Sequence, residues 1–198
     1  MKQLIFLFIL TTLISSCISQ KVYINILEES KTTDTFDIEQ FEEKKIGSQY
    51  YDTLDDGTIV RRMSSDIDFV EYETPPSPNL LEVYRSFYLN GNLKRKGIYY
   101  SNDVALGVWR DYDKEGNLIK EENYDEGYEY SFEDVVKFLR LRGADLHDER
   151  TSIRRFDGIW ELAYVKDKDE KSFYYSYSLD GKTGKVLEHS KNNYFIEG

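Results

Sequence analysis

The sequence has few of the residues on which enzymes and metal sites most often depend. It holds one cysteine, which cannot form a disulfide within the chain, and two histidines. His147 and His189 lack metal-ligand spacing to each other or to Cys17. A serine or threonine nucleophile needs a general base, and two such histidines offer little support for one. We therefore predict no catalytic residue, no metal site and no cofactor.

The chain also lacks an excess of positive charge. It carries 37 acidic and 26 basic residues, and its formal net charge is −11. An acidic surface repels the phosphate backbone of DNA and RNA, so we predict no nucleic-acid partner. The same surface allows a basic protein partner. The many carboxylates leave a hydrolase with a carboxylate pair as an alternative, although the sequence singles out no pair.

The longest apolar run lies at the N-terminus and is too short to cross a membrane as a helix. Residues 4–14 are apolar apart from two threonines, whereas a spanning helix needs about 20 residues. Because Lys2 precedes it, the run has the charge and length of a signal-peptide core.

The motif Ile-Ser-Ser-Cys follows this run, ends at Cys17 and resembles the bacterial lipobox. In that family the cysteine thiol receives diacylglycerol and the leader is cut before the cysteine. The resemblance implies that residues 1–16 are a signal peptide and that lipid on Cys17 holds the chain on a membrane of the cell envelope. Ile18, where some lipoproteins have aspartate, resembles the pattern for sorting to the outer membrane.

Two stretches of the mature chain are typical of connecting segments. Residues 17–49 are polar and acidic, and we predict a lipid anchor and tether there, with one loosely attached strand at residues 22–27. All three prolines lie within residues 74–78. Proline fixes φ and favours extended geometry before it, so this run predicts a stiff linker or boundary.

Aromatic residues are abundant, and they occur in an internal repeat. The chain has 17 tyrosines, which favour strands because flat side chains pack well across a pleated surface. Gly91-Asn92-Leu93 recurs 25 residues later as Gly116-Asn117-Leu118, with aromatic and alternating residues on either side. Each unit predicts a β-hairpin, and neighbouring hairpins must pair into one sheet to bury their aromatic rings. The Asp-Gly pair at residues 56–57 could belong to a third, decayed copy of this unit, and we keep that as an alternative.

Residues 84–128 resemble MORN-variant repeats, whose pattern is G-x-W-x-x-Y-x-x-x-G-x-L followed by a strand and a closing tyrosine. Trp109 stands at the tryptophan of the pattern, and its equivalent Tyr84 departs from it. This repeat occurs in bacterial envelope proteins and in a family described as antitoxin-like. The resemblance implies no shared chemistry.

The C-terminal part changes from strand to helix periodicity. Phe132, Val135, Val136 and Leu139 recur as on one face of a helix, and Ser131 suits its N-cap. Two alternating strands follow, with a charged hairpin loop at residues 166–171 between them. Residues 131–189, and most clearly the ending D-x-x-T-G-x-V-L, resemble a PepSY-like domain. That resemblance implies binding or inhibition of peptidases.

Two charged motifs are candidate sites. Residues 111–122 fit the acid and glycine positions of an EF-hand calcium loop, but their flanks predict strands and the repeat explains the same residues without metal. Lys94, Arg95 and Lys96 form a basic island in an acidic chain. We interpret the island as a possible partner contact, for anionic lipid or for protein, with an exposed strand end as the alternative.

These observations predict an α+β fold in which a tyrosine-rich antiparallel sheet of hairpin repeats precedes a helix packed on a small antiparallel sheet. The domains are a signal peptide (residues 1–16), an anchor and acidic tether (17–49), a hairpin region (50–130) and a helix with a sheet (131–198). We predict a non-catalytic, lipid-anchored binding or scaffold module of the envelope. The alternatives are an immunity or antitoxin-type protein and, third, an envelope hydrolase.

Overall fold

A computed structural model describes residues 34–101, 104–168 and 171–194, without the side chains of Lys168, Lys171 and Tyr194. Cys17, the signal peptide and the strand predicted at residues 22–27 lie outside the described residues. The fold is α+β and mostly antiparallel, as the sequence predicts.

The first sheet has seven strands that pair in chain order, each antiparallel to the next. Helix α1 (Ile38–Lys44) precedes strands β1 (Gln49–Thr53), β2 (Ile59–Ser64), β3 (Phe69–Thr74), β4 (Leu81–Phe87), β5 (Leu93–Tyr100), β6 (Val104–Tyr112) and β7 (Leu118–Asn123). The second sheet has the order β11-β10-β9-β8 and follows a second helix. Its elements are α2 (Phe132–Leu141), β8 (Ser152–Phe156), β9 (Ile159–Lys168), β10 (Lys171–Asp180) and β11 (Val186–Tyr194).

Three hairpins of the first sheet share one turn. In residues 54–58, 88–92 and 113–117 the first N–H donates to the last carbonyl, and the fourth N–H donates to the first carbonyl. The fourth residue is glycine each time, with φ of 86°, 86° and 83°. Side chains rarely adopt this conformation, so glycine is required there. The β1–β2 hairpin therefore has the same turn as the two units that the sequence repeat identifies.

The proline-rich run is not a boundary between sheets. It lies in the connection from β3 to β4, and these strands pair directly, with Tyr72 opposite Tyr84. The first sheet therefore continues across the run, and the prolines stiffen the loop that connects these two central strands.

The C-terminal end of the segment predicted as a tether is instead part of the fold. Phe36 and Phe41 are 5% and 0% exposed, and they pack with Phe69 and Phe87 of the first sheet. Phe36 N–H also donates to the carbonyl of Gly91 at 2.8 Å. Phe36 and Phe41 bury enough apolar area to hold this stretch on the sheet, which its acidic composition did not indicate.

A second core joins the two sheets. Ser131 and Asp134 form the capping box at the start of α2, which confirms the predicted start of the helix. The apolar face of α2 packs against the second sheet, and the same core includes Tyr100, Val104 and Leu106 of the first sheet. The charged run at residues 166–171 was predicted as a loop, but β9 extends to Lys168 and β10 begins at Lys171. Strand β8 had no clear sequence signal.

Candidate functional site

The basic island does not form one surface. Lys94 pairs with Asp68 at 3.2 Å, and Arg95 lies 3.5 Å from Asp111. Lys96 is 1% exposed, and it projects from the opposite face to Arg95 because side chains alternate along a strand. The predicted partner contact is therefore wrong for Lys96, and the other two cations already have carboxylate partners.

Lys96 belongs to a buried row of charges on the face that α1 covers, which we call the ionic face. Arg62 Nε lies 2.7 Å from Glu71 Oε2, and Arg85 Nη1 lies 2.7 Å from Glu73 Oε1 and 3.2 Å from Glu71 Oε1. Burial opposes the charge of Arg85, but the neighbouring carboxylates outweigh it and raise the pKa of Arg85 above its usual value. Because cations and anions alternate, the row is a structural network rather than an open binding site.

The opposite side of the first sheet is an aromatic face, formed by Tyr72, Tyr84, Tyr99, Trp109 and Tyr124. Neighbouring ring centroids lie 4.6–5.7 Å apart, and most pairs meet edge to face. Burial raises the pKa of Tyr72 and of Tyr99. These rings cover one another and leave Trp109 only 3% exposed. The face therefore lacks an open indole on which a sugar ring could stack, and it works mainly as packing.

Gly97 allows the indole of Trp109 to lie flat on the sheet. A Cβ atom at Gly97 would come within 2.1 Å of the indole ring, far inside van der Waals contact. The guanidinium of Arg95 lies 5.0 Å from the centroid of the same ring. The indole thus contacts both the backbone at Gly97 and the Arg95 cation, and its Nε1–H is buried without a hydrogen-bond partner among the described residues.

Three of the four acids that the EF-hand pattern requires have structural partners. Asp113 Oδ1 accepts hydrogen bonds from the N–H groups of Glu115 and Asn117 at 3.0 and 2.8 Å, and bonds from Asn117 lower the pKa of Asp113. Asp111 and Glu122 both pair with Arg95. Within residues 34–101, 104–168 and 171–194, no group of three or more His, Cys, Asp or Glu residues is placed to hold a metal ion.

A cleft of about 380 Å³ opens where the end of the first sheet meets the segment after α2. One wall comes from the β3–β4 connection and the strand ends of β4 and β5, and the other comes from residues 146–149 and Thr151. Apolar and polar side chains both contribute. The lining residues are Thr74, Asn79, Leu80, Leu81, Glu82, Tyr100, Ser101, Leu146, His147, Asp148, Glu149 and Thr151.

The cleft lining carries negative charge. It includes Glu82, Asp148 and Glu149, and it includes neither lysine nor arginine. Hydrogen bonds from Arg150, just outside the lining, lower the pKa of Asp148 to about 2, so this carboxylate is ionised at neutral pH. Thr74 Oγ1 donates to Glu82 Oε1 at 2.9 Å, while Glu82 Oε2 is buried without a hydrogen-bond partner among the described residues.

Comparison with protein-family models, with curated proteins and with solved structures gave no match in any of the three. The MORN-variant and PepSY-like resemblances therefore stay predictions, and function has to be argued from the chain itself. No helix in the described part of the chain is long and apolar enough to cross a membrane.

Sequence reasoning did not find the cleft. The structure places His147, Asp148 and Glu149 in a turn after α2. That turn faces Glu82, which is more than 60 positions earlier in the chain. Only the joint packing of the two sheets brings these residues to one opening. The acidic run at residues 145–149 was the one available signal, and it is common in an acidic chain.

Proposed function

We propose that this protein is a non-catalytic binding module of a bacterial cell envelope, held on a membrane, most simply the outer membrane, by lipid on Cys17. The cleft carries the binding part of this proposal. Its volume lies within the range of ligand sites, and its lining combines apolar side chains with a few convergent polar groups.

The proposed anchor limits where the cleft can act. Buried acyl chains contribute about 0.8 kcal/mol per methylene, and two or more chains hold a protein durably. The described fold begins at Asp34, 17 positions after Cys17. An extended chain spans roughly 3.3–3.6 Å per residue, so this segment could hold the fold no further than roughly 60 Å from the membrane. The partner must then be part of the membrane or of the layer beside it.

A second candidate function is an immunity or antitoxin-type protein that blocks a toxic enzyme. The observation in its favour is the combination of a net charge of −11 with an acidic cleft, which suits a basic enzyme surface. The two candidates differ in the partner's identity. Only if the protein is an immunity or antitoxin-type protein would loss of the gene sensitise cells to a toxin from sibling cells.

Photo-crosslinking from the cleft in living cells tests the binding function. A photoreactive phenylalanine derivative at Ser101 or His147, two exposed lining positions, is expected to give one discrete adduct with an envelope component. The same residue at Ile119 or Leu187, which are 62% and 47% exposed outside the cleft, is the control. Adducts that are absent from both cleft positions, or that match those of the controls, would contradict the proposal.

A further inference from the structure

We infer that the cleft binds the side chain of a lysine or arginine that a protein partner presents. This inference rests on the proposed binding function and specifies the chemistry of its ligand. It comes from three properties of the lining: an apolar part, a net negative charge and an acceptor atom without a donor.

The apolar part of the cleft matches the stem of a basic side chain. Leu146 and Tyr100 are 8% and 5% exposed, and Leu80 and Leu81 are half-buried in the same lining. Lysine and arginine bury their methylene stems along apolar surface and keep their charged heads among polar groups. A carboxylate or phosphate ligand would meet the same leucines, but it would also meet Glu82 and Glu149, two like charges without a basic partner in the lining.

Of the three carboxylates in the cleft lining, one already forms a salt bridge and the other two do not. Arg150 Nη2 lies 2.5 Å from Asp148 Oδ2 and 3.0 Å from Asp167 Oδ2, so Asp148 is compensated within the protein. Glu82 and Glu149 have no salt-bridge partner among the described residues. These two therefore provide the charge that a cationic head would neutralise.

Glu82 distinguishes this cleft from a merely acidic surface. One of its oxygens accepts from Thr74, and the other is buried with no donor among the described residues. A buried acceptor without a partner is unfavourable, and an ammonium or guanidinium N–H in the cleft supplies the missing donor once the Glu82 carboxylate turns Oε2 toward the opening. A metal ion fits less well, because the described residues contain no group of three ligating side chains placed around one point.

Nuclear magnetic resonance on the mature, lipid-bearing chain in detergent micelles tests the inference. The probe is Nα-acetyl-lysine amide, and its neutral counterpart is Nα-acetyl-norleucine amide, which has the same stem without the charge. We expect the lysine probe to shift the amide signals of residues 80–82 and 146–151 saturably, and the norleucine probe to bind at least tenfold more weakly. Equal binding of both probes, or no saturable shift, would overturn the inference.

Matched variants separate the cleft from general acidity. We expect Glu82→Gln with Glu149→Gln to weaken binding of the lysine probe at least tenfold. Glu126→Gln with Glu188→Gln removes the same charge from two exposed positions outside the cleft, so it should leave binding within twofold of wild type. Glu149→Lys changes only an exposed side chain and should abolish binding even if the double variant folds poorly. Unchanged binding by Glu149→Lys would overturn the inference.

The two proposals fail in different ways. If the cleft crosslinks form in cells and persist in the Glu82→Gln, Glu149→Gln variant, the protein is a binding module whose partner does not use a cationic side chain. If the lysine probe binds the cleft saturably but no crosslink forms in cells, the cleft has the inferred chemistry and the proposed binding function is wrong.

Discussion

Replacing Phe41 with alanine is expected to lower the free energy of unfolding by about 3–5 kcal/mol. Phe41 is 0% exposed, and its ring centroid lies 5.3 Å from that of Phe36 and 5.8 Å from that of Phe69. Its removal leaves a cavity between α1 and the first sheet that the surrounding rings cannot fill. Denaturant unfolding followed by circular dichroism measures the change.

The control for Phe41 is Ile46→Ala, which lies just after the same helix. Ile46 is 89% exposed, so its replacement should change the free energy of unfolding by no more than about 0.5 kcal/mol. Similar small effects of the two replacements would mean that residues 34–44 behave as a tether. That result would contradict the packing of this segment on the ionic face.

Trp160→Ala is expected to destabilise both sheets together, also by about 3–5 kcal/mol. Trp160 is 0% exposed, and its Nε1–H donates to the carbonyl of Tyr130 at 2.9 Å. The core around it includes Tyr100, Val104 and Leu106 of the first sheet, so loss of the indole weakens the contact between the sheets. The change in the midpoint of denaturant unfolding gives the size of the effect.

The Trp160→Ala variant also shows whether the two sheets unfold in one cooperative transition. The chain has two tryptophans, so Trp160→Ala leaves Trp109, in the first sheet, as the single fluorescent indole. We expect its fluorescence and far-ultraviolet circular dichroism to report one common transition at lower denaturant than in wild type. Phe156→Ala, at a position that is 78% exposed, should behave like wild type. A Trp109 transition at the wild-type midpoint would show that the sheets unfold independently.

Local patterns in the sequence were sufficient for most of the fold. The recurrence of Gly91 as Gly116 predicted successive hairpins. Each turn needs a residue with positive φ, and glycine meets this need whatever residues surround it. Ser131 and Asp134 marked the start of α2 because capping satisfies N–H groups within one turn. Each hairpin turn and the helix start depend on residues within a few positions of one another, and both predictions are confirmed.

Contacts between distant parts of the chain account for what the sequence did not predict. The basic island was interpreted from neighbours in the chain, whereas Lys96 is buried on one face and Arg95 lies on the other. Lys96 Nζ lies 3.7 Å from Asp34 Oδ2, which comes from the segment expected to be a tether. The cleft likewise depends on how the two sheets meet, and a hydrophobic pattern carries no such information.

The ionic face and the cleft both contain several acids, but only the ionic face also contains basic partners for them. On the ionic face Glu71 is 8% exposed and lies between Arg62 and Arg85, so its charge is fully compensated. In the cleft Glu149 is exposed, and Glu82 keeps one acceptor without a described donor. Counting acids in the sequence cannot separate these two cases. The placement of the basic partners separates them.

Intact mass and membrane fractionation of the native protein beside Cys17→Ala test the central claim, that lipid on this cysteine holds the protein on the envelope. We predict that the wild-type chain begins at Cys17, carries the mass of acyl chains and sediments with membranes. The Cys17→Ala protein should lack that mass and should appear in the soluble fraction. An unacylated wild-type protein in the soluble fraction would contradict the account, because the partner would then no longer have to lie within reach of a membrane.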